Sequence, residues 1–352
     1  MLNGLSTGSS KGCLVKRLES ADAGRWDAFA LSSPQATFFH RFGWSRVIQR
    51  AFGHRCHYLY AEDAGKIAGI LPLVEIKSRL FGHSLISTPF CVYGGIVAEH
   101  ESVAALLRRA ASSLAEELAV DYLELRNRKS DASSWPTKDL YVTFRKTIHP
   151  DHDANFQDIP RKQRAMVRKG IEAGLKADAD GELGQFYGVY AESVRNLGTP
   201  VFAKKYFALL REEFSDACEI TVVAHGVKPV AAVMSFYFRD EVLPYYGGST
   251  AAGRGVKAND FMYWAVMQRA VERGVRLFDY GRSKRDTGSY HFKKHWGFEP
   301  EPLHYEYQLA RAKTLPDVSP VNPKYRLFIK AWQHLPLPVS RTIGPWIARS
   351  LG

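Results

Sequence analysis

The feature that most constrains the fold is an order of predicted elements that occurs twice along the chain. Each copy contains a β-hairpin with alternating apolar residues, a helix with apolar residues at helical spacing, and a strand directly after that helix. The first copy comprises the hairpin 57–77, the helix 101–120 and the strand 121–127. The second comprises the hairpin 220–238, an added strand 242–248, the helix 259–274 and the strand 275–281. Each copy therefore predicts a mixed sheet with helices against its faces.

The joints between helix and strand superpose at a constant offset. Val120 falls on Val275 and Glu124 on Asp279, an offset of 155 residues. We interpret this as an internal duplication; the alternative is that two α/β domains share an element order without common origin.

The second helix has recognisable ends, with Asn259 as the predicted N-cap and Gly274 just past the last turn. A polar segment that ends in proline, 149–160, separates the two copies. We therefore predict an α/β fold with a domain at 1–150, a domain at 151–312 that carries the main site, and a tail at 313–352.

Charge and cysteine content restrict the partners and the compartment. The chain of 352 residues has a net charge of +12, which predicts an anionic partner: nucleic acid, a phosphorylated small molecule or anionic lipid. The four cysteines form no CxxC pair, so we expect a reducing compartment and no metal site. The first ten residues lack the features of a signal peptide, and no apolar run is long enough to span a bilayer. These features predict a cytoplasmic protein.

A basic helix is the first candidate for ligand binding. Five of the nine residues 161–169 are basic. At 100° per residue, Val167, Ile171 and Leu175 form an apolar stripe, and lysines face away from it. The side chains predicted to edge the core side are Arg161, Arg164 and Arg168. Such a row of guanidinium groups suits phosphate binding; the alternative is a solvated basic helix.

The second candidate is the polar and aromatic segment 278–298, which follows a predicted strand. Ligands of open α/β sheets collect beyond the carboxyl ends of strands, and this segment begins with Asp279 and Arg282 and continues through Tyr290 and Lys293. The third candidate is a glycine-rich turn between a strand and a helix. Its backbone N–H groups at Gly247, Gly248 and Ser249 could hold a phosphate or an acyl oxyanion.

Several segments together resemble the FemAB family of transferases, in the branch associated with exosortase/PEP-CTERM systems. They are PRKQRAMVRKGIEAGL, YYGGST, VERGVRLFDYGRSK, TGSYHFKKHWGFEPEPLHYEY and NPKYRLFIKAWQHLPLP. The similarity covers most of the chain, and the block 278–307 is its most specific part. The resemblance implies two tandem domains of the GNAT acetyltransferase fold. In this resemblance Phe292-Lys293 matches the family's lysine motif, and Arg164 and Arg168 match its basic segment. The chain lacks the long helical arm of some members.

The resemblance also implies a reaction: transfer of an acyl or aminoacyl group onto an amine of a cell-envelope or exopolysaccharide precursor. No tightly bound cofactor is expected, and the acyl donor would be aminoacyl-tRNA or acyl-coenzyme A. We expect Lys293 to stabilise the oxyanion, with backbone donors at 247–249. Asp279 would accept a proton from the amine or pair with Arg282, and Tyr290 would protonate the leaving group. The side chains expected to hold phosphates of a phosphorylated sugar or envelope precursor, or of tRNA, are Arg161, Arg164, Arg168 and Arg282.

Two alternative functions are kept. One is an acyl-coenzyme A-dependent N-acetyltransferase acting on a small amine, and the other is a phosphosugar-binding protein without catalysis. No helix-turn-helix or zinc pattern indicates sequence-specific DNA binding. Residues 318–352 contain five Lys or Arg and no acidic residue, which predicts either peripheral contact with the inner face of the membrane or docking on the protein's own domains.

Overall fold

The computed structural model describes residues 12–79, 81–130, 134–316 and 323–351. The predictions for the first ten residues and for 318–322 lie outside this part of the chain. The strands are β1 (Leu14–Arg17), β2 (Arg55–Asp63), β3 (Lys66–Ser78), β4 (Gly82–Ser87), β5 (Val97–Ala98), β6 (Tyr122–Asn127), β7 (Thr137–Lys138), β8 (Tyr141–Thr147), β9 (Leu175–Asp178), β10 (Cys218–His225), β11 (Lys228–Phe238), β12 (Glu241–Ser249), β13 (Leu277–Asp279), β14 (Ser283–Lys284), β15 (Pro300–Pro302) and β16 (His304–Leu309). The helices are α1 (Ala23–Ser32), α2 (Gly43–Phe52), α3 (Glu101–Glu117), α4 (His152–Asp158), α5 (Arg161–Glu172), α6 (Leu183–Asn196), α7 (Lys204–Phe214), α8 (Ala251–Gly255), α9 (Ala258–Glu272), α10 (Gly288–His295), α11 (Pro323–Gln333) and α12 (Leu337–Ala348).

The strands form two mixed sheets, as the sequence predicts. The first has the order β1-β2-β3-β4-β6-β16-β7, with β5 paired to β3. The second has the order β14-β8-β13-β12-β11-β10-β9, with β15 paired to β8. Each sheet contains one parallel pair, β4 with β6 and β12 with β13.

Both predicted hairpins form, and the first shows why. Ala64 and Gly65 have φ angles of 46° and 79°, the left-handed values that a two-residue turn needs to match the twist of its strands. Asp63 and Lys66 flank this turn and pair with each other. The polar Ala-Gly turn in the sequence therefore fixes the register of β2 against β3.

The offset between the two copies that the sequence predicts is visible at the ends of the two equivalent helices. The N–H of Val120 donates to the carbonyl of Ala115 at 3.2 Å, and the N–H of Val275 donates to that of Ala270 at 2.9 Å. Each bond closes over a left-handed residue, Ala119 with φ 50° and Gly274 with φ 71°. All of these pairs are related by the offset found in the sequence.

The predicted start of the second helix is wrong. The helix α9 begins at Ala258, and its N-cap is Lys257 in a left-handed conformation with φ 59°. Asn259 is therefore already inside the first turn. The reason is that the chain enters α9 directly from the short helix α8, which Thr250 caps by accepting a hydrogen bond from Gly253 N–H at 3.1 Å.

Two strands exchange between the sheets across the predicted boundary. The strand β8 comes before residue 150 but pairs with β13, β14 and β15 of the second sheet. The strand β16 comes near the end of the second domain but pairs with β6 and β7 of the first sheet. The polar segment 149–160 contains the helix α4. The division at residue 150 stays a prediction, but a cut there would remove β8 from its sheet.

An aromatic core joins the two domains. The ring of Phe38 stacks on Phe236 of β11 and packs on Phe214 of α7, with centroids 4.6 Å apart in both pairs. The ring of Phe52 lies 4.9 Å from Tyr206. These rings belong to one continuous cluster that includes α1, α2, α6 and α7. Because this apolar surface is shared, the two domains bury each other.

The described part of the tail docks on both domains. The helices α11 and α12 pack on α6, and Arg195 Nη1 donates to the carbonyl of Gln333 at 3.2 Å. At the other end, Arg349 Nη2 donates to the carbonyl of Phe52 at 3.0 Å. Among the described residues, no helix combines the length and the apolar character needed to cross a bilayer.

Candidate functional site

The two strands of the parallel pair in the second sheet separate soon after they begin. Glu241 and Val242 pair with Leu277 and Phe278, but β13 then ends and the chain continues along β8. The strand β12 runs on to Ser249 with β11 on one side only. Because backbone groups of a strand point alternately to its two edges, the edge of β12 beyond Val242 has groups that no described strand pairs. We call the gap between residues 243–249 and 280–284 the splay cleft.

A β-bulge aims one tyrosine of β12 across this cleft. The register pairs Met234 with Tyr246 but Ser235 with Pro244, so Tyr245 is the extra residue. Its hydroxyl donates to the carbonyl of Phe90 in the first domain at 2.9 Å. Bulges of this kind re-aim a side chain next to functional sites. Tyr245 thus ties the splay cleft to the first domain.

Asp279, at the end of β13, is the centre of a buried network. It is 1% exposed and accepts hydrogen bonds from Gly281 N–H at 2.7 Å, from Tyr93 Oη at 3.0 Å and from Arg145 Nε at 3.1 Å. Burial raises the pKa of the Asp279 carboxyl, although the Arg145 charge acts in the opposite direction. The predicted pairing of Asp279 with Arg282 is wrong, because Arg145 of β8 pairs with Asp279 instead. Its role as a base stays a prediction.

Lys293 lies in the interior beside this network. It is 8% exposed, and its Nζ donates to the carbonyls of Gly281 and Arg282, both at 3.0 Å. Burial lowers the pKa of the Lys293 ammonium to about 7, although the Asp279 charge acts against this. An ammonium group has three donors, so the protonated form has one N–H left for a further acceptor.

Two neighbouring arginines, Arg126 and Arg282, have one carboxylate partner between them among the described residues. Arg126 Nε donates to Glu124 at 2.8 Å, whereas Arg282 has no ion-pair partner in the described chain. The Arg282 guanidinium stacks 4.4 Å from the Tyr141 ring centroid and donates to Tyr305 Oη at 3.0 Å. Arg282 is half-buried. A half-buried guanidinium without a counter-ion suits an anionic ligand.

The glycines of β12 have a packing role. A Cβ at Gly247 would lie 2.9 Å from Val233 Cγ2, and one at Gly248 would lie 2.6 Å from Ser193 Cβ. Both positions are half-buried, and Ser249 is buried. Gly247 and Gly248 therefore let neighbouring side chains approach both faces of β12, and their role as oxyanion donors stays a prediction.

The turn after β12 already has internal partners for its first N–H groups. The Glu192 carboxylate accepts from Ala251 N–H at 2.9 Å, and Thr250 caps Gly253. A phosphate placed at this turn would have to displace Glu192.

The helix α5 is rotated relative to the sequence prediction. Its buried residues are Gln163, Val167 and Gly170, and Ile171 is 51% exposed. The reason is that Gln163 donates to Asp260 of α9 and that Gly170 admits the ring of Phe261.

This rotation changes where the arginines of α5 lie. Arg161 and Arg168 are exposed rather than at the core edge, and Arg164 is half-buried beside Gln157. Phosphate binding by these three side chains stays a prediction.

Tyr290 shares a neighbour with Lys293. Its ring lies 5.5 Å from the Phe144 centroid in an edge-on arrangement, and Lys293 Nζ lies at the same distance from that ring. The α10 helix therefore brings both predicted catalytic side chains against β8. Protonation of a leaving group by Tyr290 stays a prediction.

The first domain contains a cavity of about 300 Å³ that the sequence did not indicate. It lies at the carboxyl end of β6, and residues 95–101 and 126–130 line it with Tyr93 and His40. Two buried donors there have no partner in the described chain, Asn127 Nδ2 and Arg128 Nη1. Burial lowers the pKa of His40 to about 4, so this ring is neutral at pH 7. Tyr93 also binds Asp279, so the cavity adjoins the buried network.

Sequence reasoning missed three side chains of this site, Tyr93, Arg126 and Arg145. One signal was present for Arg126. It lies two residues after Glu124, which the duplication aligns with Asp279, and in the structure each of these carboxylates binds an arginine. Arg145 had no such signal, because nothing in the sequence assigns β8 to the second sheet.

Comparisons with known proteins agree with this architecture. Residues 156–294 match the family model described as acetyltransferase (GNAT) domain. The fold is similar to that of FemX, with a TM-score of 0.66 and 14% identity over 89% of this chain and 100% of the other. It is also similar to a tandem GNAT protein from the clavulanic acid biosynthesis pathway, with a TM-score of 0.54 and 14% identity over 87% of this chain and 100% of the other.

A third similar structure is the C-terminal domain of a protein assigned as a lysylphosphatidylglycerol synthetase from Agrobacterium fabrum, with a TM-score of 0.53 and 14% identity over 82% of this chain and 92% of the other. A search of curated proteins returns no match. The predicted fold class, mixed α/β with two tandem GNAT-like domains, is confirmed.

Proposed function

We propose that the chain is an acyltransferase that moves an acyl or aminoacyl group from an activated donor onto an amine of an anionic acceptor. The observation that carries this proposal is the splay cleft. It lies inside the segment that matches the acetyltransferase family, and its second wall continues into the residues that hold Lys293.

The cleft suits an extended acyl donor. An incoming chain can pair with the free edge of β12 as an added strand would, which positions it by backbone hydrogen bonds. The half-buried backbone at Gly247 and Gly248 lies on this edge. A carbonyl held there would have its oxygen available to the cation of Lys293.

The reaction follows from these positions. The acceptor amine attacks the donor carbonyl carbon, a C–N bond forms, and the bond to the leaving oxygen or sulfur breaks. Negative charge develops on the carbonyl oxygen, and a fixed donor at that point contributes about 10²–10³ in rate. The remaining N–H of protonated Lys293 supplies this donor. The amine proton leaves to solvent or to Asp279, and Tyr290 or water protonates the leaving group.

The acceptor is anionic, so its binding site must offer cations and hydrogen-bond donors. Among the described residues Arg282 has no counter-ion, and the cavity of the first domain offers donors of Asn127 and Arg128 that have no described partner. These groups fit the phosphates or carboxylates of an envelope or exopolysaccharide precursor, as the resemblance to the exosortase-associated branch implies.

The turn after β12 distinguishes between the two classes of acyl donor. Glu192 binds Ala251 N–H there, so a pyrophosphate such as that of coenzyme A would meet a carboxylate. This favours an aminoacyl ester, as on tRNA, over acyl-coenzyme A. Thermal stabilisation by acetyl-coenzyme A, measured on the wild type and on Glu192→Gln, tests the choice. The coenzyme A alternative predicts that the wild type is already stabilised. A blocking Glu192 carboxylate predicts no stabilisation of the wild type.

The decisive experiment compares Lys293→Met with Lys294→Met, its exposed neighbour on the same helix. Purified enzyme is given aminoacyl-tRNA or acyl-coenzyme A with phosphorylated amino sugars, and amide products are measured by mass spectrometry. We expect transfer by the wild type and by Lys294→Met, and a loss of about 10²–10³ in kcat for Lys293→Met. Equal turnover by the two variants would refute the role of Lys293, and tight phosphosugar binding with no transfer by any form would indicate a non-catalytic protein.

A further inference from the structure

The two helices of the tail have exposed apolar side chains that no other described element covers. The helix α12 buries one side against the protein, and its buried residues are Ser340, Gly344 and Ala348. On the opposite side Trp346 is 82% exposed and Ile343 is 41% exposed. An indole exposed to this degree is unusual, because large aromatic side chains contribute strongly to burial in folded proteins.

The helix α11 continues this arrangement. Trp332 is buried, whereas Leu327 is 73% exposed and Phe328 is also exposed. Each of the two helices packs on α6. We use the name tail face for their exposed apolar side chains, Leu327, Phe328, Val339, Ile343 and Trp346.

The charged residues of the tail segment have one sign. Residues 318–352 contain five Lys or Arg and no Asp or Glu. Lys330 of α11 is exposed. Arg341 and Arg349 donate to backbone carbonyls at Gly188 and Phe52, so their charges are not neutralised by those bonds. An apolar surface within a segment whose only charges are basic complements a partner surface that has negatively charged groups above an apolar interior.

We propose that the tail face binds the surface of an anionic lipid bilayer. Exposed Trp, Phe, Leu and Ile side chains insert at the boundary between headgroups and acyl chains, while Lys and Arg contact the acidic headgroups. The helix α12 has 12 residues, about 18 Å at 1.5 Å per residue, so it lies along the interface rather than through it. The docked side of the helix stays on α6, which anchors the globular domains at the membrane.

The test measures co-sedimentation of the full chain with lipid vesicles. Vesicles of phosphatidylcholine alone are compared with vesicles that also contain phosphatidylglycerol, at low and at high salt. The variants are Ile343→Ser/Trp346→Ser, Lys330→Gln and, as a matched control, Val227→Ser. Val227 is a fully exposed apolar residue in the β10–β11 turn, remote in sequence from the tail. Circular dichroism and thermal melting establish that each variant folds like the wild type.

We expect the wild type and Val227→Ser to bind the anionic vesicles and to lose binding at high salt. The double variant should bind at least about tenfold more weakly, and Lys330→Gln about fivefold more weakly. Equal binding by the double variant would show that basic surface elsewhere is responsible, and absence of wild-type binding to any vesicle would show that lipid is not the partner. Self-association of the wild type that the double variant abolishes would assign the tail face to a second copy of the chain. Each of these three results overturns the proposal.

Discussion

Replacing Lys293 with Met should change the way stability depends on pH. Met keeps much of the length of the side chain and removes the titrating group. Burial lowers the pKa of Lys293 from 10.5 to about 7 in the folded protein, so between these two values the unfolded chain binds one proton more than the folded chain. The free energy of unfolding then rises with pH in this window, by about 1.4 kcal/mol per pH unit for this group. Below pH 7 Lys293 is protonated in both states, so the destabilisation caused by burying its charge no longer changes with pH.

The size of the effect follows from the same two values. From pH 7.5 to pH 9.5 the free energy of unfolding of the wild type should rise by roughly 2–3 kcal/mol relative to that of Lys293→Met. At neutral pH the variant avoids a penalty of roughly 4 kcal/mol, but it leaves the carbonyls of Gly281 and Arg282 without their donor, at about 1–3 kcal/mol each. The two contributions nearly offset each other, so the pH slope is the diagnostic quantity and the absolute stability is not.

The assay is urea unfolding of the wild type, Lys293→Met and Lys294→Met at both pH values. Titrating groups that do not interact with Lys293 act equally in all three proteins, so they cancel in the difference between variants. We expect the difference for Lys293→Met to change by the stated amount and that for the exposed Lys294 to stay constant. A constant difference for Lys293→Met would mean that the ammonium keeps an ordinary pKa in the interior, and the argument from burial would be refuted.

Four further outcomes follow from the structure. Because the ammonium form stabilises the oxyanion and the pKa of Lys293 is about 7, kcat should fall as pH rises above that value in a pH–rate profile. Asp279→Asn leaves Arg145 with Glu241 as its remaining carboxylate partner, and the loss of the charged acceptor should lower the free energy of unfolding by about 1.5–3 kcal/mol in urea unfolding. Gly248→Ala should lower the melting temperature, whereas Gly255→Ala, with nothing within 4 Å of the added methyl, should not. Phe38→Ala removes a ring shared by both domains and should destabilise by about 3–5 kcal/mol in urea unfolding.

The sequence predicted the repeated unit because local patterns determine it. The hairpins, α3, α9 and the strands after them have clear periodicity and end signals, such as the turn at Ala64-Gly65. The matching left-handed residues Ala119 and Gly274 confirm the offset at the level of backbone hydrogen bonds. Local patterns do not specify which strands pair across long distances, and for that reason β8 and β16 were not assigned to their sheets.

The site was predicted in part for the same reason. The segment 278–298 was chosen from its position after a strand, and it does bring Asp279, Arg282 and Lys293 close together. The partner of Asp279 comes from β8, so the pairing with Arg145 depends on the strand exchange. The predicted orientation of α5 is wrong because helical periodicity places apolar Ile171 on the buried face. In the structure the buried face is set by the hydrogen bond that Gln163 donates and by the small volume of Gly170.

The exchange of β8 and β16 has a consequence for how the protein is made. A ribosome releases the chain from its amino end, and the first sheet cannot be completed until residues 304–309 emerge. Until then β6 presents an open edge, which invites wrong pairing with other chains. The nascent amino-terminal half must therefore wait, partly assembled, for almost the whole chain to be translated, and the two halves mature as a single unit.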